Sequence, residues 1–331
     1  MKKKLAITFS IVLIISCTIG VFSYLILKNL PNWGSINKKS PLQTERIENQ
    51  NDNHNIIAQL AKLKGRAAGT KYEKEAATLI AREFVNLDLE PLPNNTNFYF
   101  QTFKVPQSES YISGERLRFR GQGPPVLSSQ NVFGFLPGTN KDKVLIFTAH
   151  YDGQGINNNE IYESANDNLS GVYVLLKVAQ ALKDRPKRNL SYLFVAFGSE
   201  EIGLYGSEFF LQNLPIRSDT ILGVINCDTV SSEKEVMILQ AFTKNPLVAK
   251  VEEALTNYNF RVKLELSKLR TSDHYHFSAA GLDALTIAAA DWLEGNHTPQ
   301  DTYEKLNFKI LDQLGKALVD MALTMDEHTM Y

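Results

Sequence analysis

Apolar residues along this chain fall into two kinds of run. Short blocks with almost no polar interruption occur at Val144–Thr148 (VLIFT), Tyr192–Phe197 (YLFVAF), Leu222–Cys227 (LGVINC), Val236–Leu239 (VMIL) and Leu285–Ala290 (LTIAAA). Blocks this short and this uniformly apolar predict strands buried on both faces. Elsewhere the apolar positions recur at helical spacing. Ala76, Ile80, Phe84 and Leu87 share one face of Lys74–Leu87, and Leu169, Val172, Leu176 and Ala179 share one face of Asn168–Lys183. Leu311, Leu314, Leu318 and Met321 mark a closing helix, and shorter helices are predicted at 206–213 and 246–257. Pro91–Pro125 is rich in aromatic residues but keeps no period, which predicts only short strands there. Strands alternating with helices predict an α/β protein: a three-layer α/β/α sandwich around a central, mostly parallel mixed sheet. No internal repeat and no second domain is visible in the pattern.

The N-terminus departs from this scheme. Three lysines at 2–4 precede an apolar run from Leu5 to Leu27, closed by Lys28. As a helix rising 1.5 Å per residue it would span roughly 35 Å, enough for a hydrocarbon core of about 30 Å. A cleaved signal usually has a shorter apolar region of about 7–15 residues. The expectation is a signal anchor over 1–28, a tether rich in Asn, Lys, Glu and Ser over 29–54, and one folded domain over 55–331. The lysines would stay in the cytoplasm and the domain outside it, periplasmic or extracellular. Two other readings stay open: Ile14-Ile15-Ser16-Cys17 resembles a lipoprotein processing box with Cys17 as lipid carrier, and a simple cleaved signal would give a secreted protein.

Composition narrows the function classes. The net charge of −1 and the absence of a basic block beyond the first residues give no reason to expect a nucleic-acid partner. Of the two cysteines, Cys17 lies in the apolar run, so no intramolecular disulfide is expected with Cys227.

The polar residues at the predicted strand ends carry the chemistry. His150 and Asp152 follow the first buried strand in AHYD, Asp167 opens the next helix in SANDNLSG, and Glu200 and Glu201 follow the second strand in FGSEEIGLYGS. Asp228 ends the third strand in INCD, and His297 follows the last in NHTPQDT. Ligands of open α/β sheets bind beyond the carboxyl ends of the strands, where this set gathers. Imidazole plus carboxylate without thiolate suits zinc and tolerates cobalt or manganese. Five such ligands can hold two metals about 3.5–4 Å apart, with one carboxylate bridging. Taken singly, each residue also has an ordinary reading: loop histidine, helix N-cap, solvated charge or turn residue.

The series AHYD, ANDNLSG, SEEIGLYGS, NCD and NHTPQDT, with GRAAGT at Arg66 and the triplet Ser272-Asp273-His274, resembles the co-catalytic zinc aminopeptidase and glutamate-carboxypeptidase family over residues 56–331. The resemblance implies two zinc ions, with His150 and Asp228 on one, Glu201 and His297 on the other, and Asp167 bridging. It makes Glu200 the general base and Asp152 the residue that orients His150, and it implies a cis peptide after Asp167. The implied activity is hydrolysis of peptide bonds, most directly removal of N-terminal residues from a peptide substrate. Glutaminyl cyclase of the same fold and a carboxypeptidase are the alternatives; no basic substrate cluster is evident for the latter. Asp273 is a candidate support for the site, and His274 and His276 are not expected as ligands. An oxyanion donor is unassigned between Arg270 and Tyr275. Trp292 and Tyr303 are candidate pocket walls, Cys227 is expected to be inert packing, and His54 and His328 are expected to be exposed.

Overall fold

The computed structural model describes residues 53–92, 98–113 and 116–328. In chain order the elements are α1 (Asn53–Ala61), α2 (Lys71–Asn86), β1 (Phe100–Ser113), β2 (Arg116–Leu136), β3 (Asn140–His150), β4 (Gly155–Asn157) and β5 (Glu160–Tyr162). They continue with α3 (Ser170–Lys183), β6 (Leu190–Phe197), α4 (Tyr205–Gln212), β7 (Ile221–Cys227), β8 (Val236–Ala241) and α5 (Pro246–Asn257). The last are β9 (Arg261–Leu266), α6 (His274–Ala279), β10 (Ala284–Ala289) and α7 (Phe308–His328). Eight strands form one sheet in the order β1-β2-β6-β3-β7-β10-β8-β9, and β4 and β5 form a small hairpin of their own.

The sheet is mixed. At its centre β6, β3, β7 and β10 run parallel, so their carboxyl ends meet along one edge. The hairpin β1–β2 joins antiparallel on one side through β6, and β8 joins antiparallel on the other. Every residue of β6 is buried, and its side chains alternate between the two layers. Tyr192, Phe194 and Ala196 pack in the larger core with α2, α3, α5 and α7, whereas Leu193, Val195 and Phe197 pack opposite with Phe210 of α4 and Phe277 of α6. Covering both faces is what permits uniformly apolar strands, and the result is the three-layer sandwich expected.

Four differences from the sequence reading have physical causes. Helix α1 begins at Asn53, inside the expected tether, and the buried Asn53 amide donates to Gln180 at 3.2 Å. His54, expected to be exposed, is half-buried, within hydrogen-bond reach of the Tyr173 hydroxyl at 3.1 Å and packed on Phe308. The stretch 91–125 holds one long hairpin rather than short strands. Its distal half is largely exposed and Pro106 sits at a register shift between Val105 and Gln107, so neither burial nor propensity marks it as strand. Strand β9 is an exposed edge strand, RVKLEL, in which charged and apolar residues alternate, a composition that protects edges; its period of two is a strand signal that the expected elements do not include. The signal-anchor, lipoprotein and cleaved-signal expectations lie outside the described residues. Among the described residues no helix is long and apolar enough to cross a membrane.

Candidate metal centre

Parallel strands that end on one edge deliver the polar residues that follow them to one place. His150 is the last residue of β3, and Asp228 follows β7 directly. Glu200 and Glu201 lie in the turn between β6 and α4, and His297 in the loop after β10. Asp167 sits in an irregular turn, Ala165–Leu169, ahead of α3, and its peptide bond to Asn168 is cis.

The turn that carries Asp167 is clamped by its own polar residues. The Asn168 side chain donates to the Cys227 carbonyl at 2.9 Å and accepts from Gly171 N and Thr229 N at 3.0 and 3.1 Å. Asn166 exchanges hydrogen bonds with the backbone of Ser231, at 3.0 and 2.9 Å. Gly171 has no alternative here, because a Cβ would lie 2.3 Å from the Cys227 carbonyl oxygen. The Asp301 carboxylate accepts from Asn166 N and Asp167 N, at 2.6 and 3.0 Å. Non-glycine residues with left-handed backbone sit among the donor residues and next to them: Ser164, Ser199, Thr229 and His297 have φ of 52°, 59°, 55° and 60°. Such conformations cost of order 1–3 kcal/mol each and persist where the surroundings over-determine them.

Two side-chain triads result, His150–Asp167–Asp228 and Asp167–Glu201–His297, with the ligand atoms of each within 4.8 Å of one another. His150 Nε2 stands 3.1 Å from Asp167 Oδ1 and 3.5 Å from Asp228 Oδ1. On the other side His297 Nε2 stands 3.0 Å from Asp167 Oδ2 and 3.5 Å from Glu201 Oε2. The two oxygens of Asp167 thus face opposite triads. Ligands at about 2.0–2.2 Å from a tetrahedral zinc are roughly 3.3–3.5 Å apart, which matches these separations. His150 is fully buried, yet neither ring nitrogen has a hydrogen bond: the contact to Asp167 is short, but its direction is wrong for one. A buried imidazole nitrogen left without a partner is costly unless something else meets it. Five N and O donors arranged in this way fit a pair of zinc ions.

Electrostatics point the same way. Burial alone would lower the pKa of His150, but Glu200, Asp152, Asp167 and Asp228 around it raise it well above its usual value. His297 is likewise pushed up to about 9, because Glu201 and Asp167 outweigh burial. Burial raises Glu201 to about 8 and lifts Glu200 well above the ordinary carboxylate range, with His150 pulling Glu200 back. The protein's own groups therefore favour positive charge at the centre of both triads.

The remaining expected residues divide. Asp152 is 3.6 Å from His150 Nδ1, too far for a strong hydrogen bond, and accepts instead from Glu200 N and Glu201 N at 3.0 and 3.3 Å. Its firmer task is to hold the turn of the two glutamates. In the triplet 272–274 it is Ser272 that reaches the site, donating to Asp228 Oδ2 at 2.6 Å. Asp273 is buried beside it with its pKa raised to about 7 by burial. His274 faces Thr286 Oγ1 at 2.7 Å and is held near 4 by burial, away from both triads. Arg270 and Trp292 line the cavity over the triads, and Tyr275 and Tyr303 do not. Cys227 is buried and pushed to about 12 by burial, consistent with packing.

Three supports were not read from the sequence. Asp301 anchors the Asp167 turn, although it stands in the quoted NHTPQDT. The Leu117 carbonyl of the β1–β2 hairpin lies 2.9 Å from His297 Nδ1, where an N–H donated to it fixes the ring so that Nε2 faces Asp167. Arg66 is fully buried and donates to the carbonyls of Tyr151, Leu60, Glu163 and Ser164 at 2.9, 3.4, 2.8 and 2.8 Å. Burial lowers its pKa to about 10, opposed first by Asp152. It ties α1 to the segments that lead to Asp152 and Asp167.

Fold and donor set together define a class: an α/β sandwich with a carboxylate-rich, two-triad centre at its strand ends. The model of peptidase family M28 matches residues 131–322, and the chain belongs to that family. It is 29% identical over 210 residues to aminopeptidase YwaD of Bacillus subtilis, covering 57% of this chain and 43% of that protein. It is 31% identical over 150 residues to a probable zinc metalloprotease of Pyrenophora tritici-repentis, covering 42% of this chain and 30% of the other. The matches thus span less than half the length of these relatives. The fold superimposes on a zinc aminopeptidase from Bacillus subtilis with a TM-score of 0.66 at 20% identity, over 82% of this chain and 94% of the other. A glutaminyl cyclase from Porphyromonas gingivalis gives 0.62 at 16% identity, over 82% and 97%.

Arg66→Ala leaves three buried carbonyls and one half-buried carbonyl without their donor, and denaturant unfolding is expected to show a loss of at least about 3 kcal/mol. An unchanged midpoint would contradict the role given to Arg66.

Proposed function

We propose that this chain is a zinc aminopeptidase that uses two zinc ions, held by His150 and Asp228 on one side, by Glu201 and His297 on the other, and by Asp167 between them. The observation that carries the reading is the pair of triads sharing the two oxygens of Asp167. Cobalt or manganese would substitute in such a donor set. The names of the Bacillus relative and of the superimposed Bacillus structure support the amino-end direction and the choice of zinc.

With zinc bound, the centre gains a Lewis acid that polarises the scissile carbonyl and acidifies water at neutral pH. The chain's own residues do the rest. Glu200 belongs to neither triad but lies 4.0 Å from His150 Nε2, at the mouth of the site. From there its carboxylate takes the proton of the attacking water and passes it to the leaving amine. Asp152 holds Glu200 and Glu201 in place through their backbone amides. Ser272 and Thr229 orient Asp228 from opposite oxygens, at 2.6 and 3.0 Å. The adjacent glutamates thus divide binding and proton transfer.

The test is a panel of aminoacyl chromogenic substrates beside N-blocked peptides, run on the native protein and on Glu200→Gln. Cleavage of the free-amine substrates only, with activity down at least about a hundredfold in a variant that keeps its zinc, is the expected result. Cleavage of the N-blocked peptides, or cyclisation of N-terminal glutamine by a one-zinc protein, would overturn it. The same reading extends to location: we propose that the run Leu5–Leu27 anchors the enzyme in a membrane with the catalytic domain outside the cytoplasm. Intact mass of membrane-extracted protein should equal that of the whole chain, and a mass lacking this run would overturn the anchor.

A further inference from the structure

The cavity above the triads has a volume of about 430 Å³, and the β1–β2 hairpin forms one of its walls. That wall carries arginines at alternate positions of β2: Arg116, Arg118 and Arg120. Alternate residues of a strand share a face, yet these three are partnered differently. Arg116 donates to the Leu293 carbonyl. Arg120 stands opposite Glu109 in the hairpin register and forms an ion pair with it at 2.6 Å. Arg118 stands opposite Tyr111, which offers no negative charge, and has no hydrogen-bond or ion-pair partner among the described residues. Across the cavity Arg270 is already engaged by the Gly203 carbonyl and by Glu208 at 3.7 Å.

Arg118 is half-buried in the cavity wall, one residue from Leu117, whose carbonyl lies against His297. A guanidinium kept in a cavity without a partner is a free fork of donors, shaped for a planar carboxylate. We propose that Arg118 binds a carboxylate of the substrate, so that the substrates are short peptides with an acidic N-terminal side chain or a free C-terminal carboxylate close to the scissile bond. As a statement about substrates this rests on the peptidase reading; as a statement about binding it does not. The basic group missing from the sequence as a cluster is supplied by the hairpin.

Two ligand pairs separate the sources of the carboxylate. Glu-p-nitroanilide against Gln-p-nitroanilide tests the side chain, and Leu-Leu against Leu-Leu-amide tests the C-terminus. The native protein is expected to favour the carboxylate member of at least one pair by about tenfold or more in kcat/KM. Arg118→Gln should bring that ratio close to one, and Arg118→Lys, which keeps the charge but not the fork, should leave an intermediate ratio. The same pairs are titrated calorimetrically into Glu200→Gln protein with and without Arg118→Gln, so the binding preference is read without turnover. If no substrate is cleaved but the preference appears and depends on Arg118, the peptidase reading fails and this one stands. A ratio near one for both pairs in the native protein overturns it. So does a ratio that Arg118→Gln leaves unchanged, as it would if Arg118 only balanced the carboxylates of the cavity.

Discussion

The site depends first on how one aspartate is held. Asp167 must present its two oxygens in opposite directions, and a side chain can do that reproducibly only if its backbone is fixed. The fixing comes from Asp301, which accepts both Asn166 N and Asp167 N, and from Asn168, which is satisfied at both ends against β7 and the loop after it. Burial lifts the Asp301 carboxyl to about 6 and the two amides draw it back. Two buried carboxylates in succession, one holding the other, is an expensive arrangement in the absence of positive charge. The imidazoles on either side of Asp167 offset part of that cost and turn a repulsive cluster into a cation site.

The second dependence is on the sheet. Parallel neighbours β6, β3, β7 and β10 bring residues from remote parts of the chain to one edge because each strand ends at the same height. That geometry explains why the chemistry was readable. A strand buried on both faces carries no ionisable residue until it leaves the sheet, so the first such groups at its end stand out and their position in space is known. His150, the Glu200–Glu201 pair and Asp228 stand in such places, and the fold class follows from the same apolar runs. Asp167 and His297 lie in loops and were legible only through the motifs around them.

What stayed hidden is what does not repeat. The β1–β2 hairpin leaves the main core, so its outer residues face water, the cavity and a small hydrophobic cluster of their own with no regular alternation. Nothing in residues 91–125 alone shows that Leu117 meets His297 or that Arg118 enters the cavity. Arg66 stood in the quoted GRAAGT without a role, because fully buried arginines are rare and its four carbonyl partners come from segments up to 98 residues away. Ser272 lay in the quoted triplet beside Asp273, and only the fold shows which of them faces Asp228.

Both triads depend on one carboxylate, that of Asp167. Zinc content of the native protein and of Asp167→Ala, measured by elemental analysis after dialysis against metal-free buffer, tests it directly. About two zinc ions per native chain and a loss of both in the variant are expected, because each triad loses a ligand at once. One zinc per chain in both proteins would contradict it, since a single site would then survive without the shared aspartate.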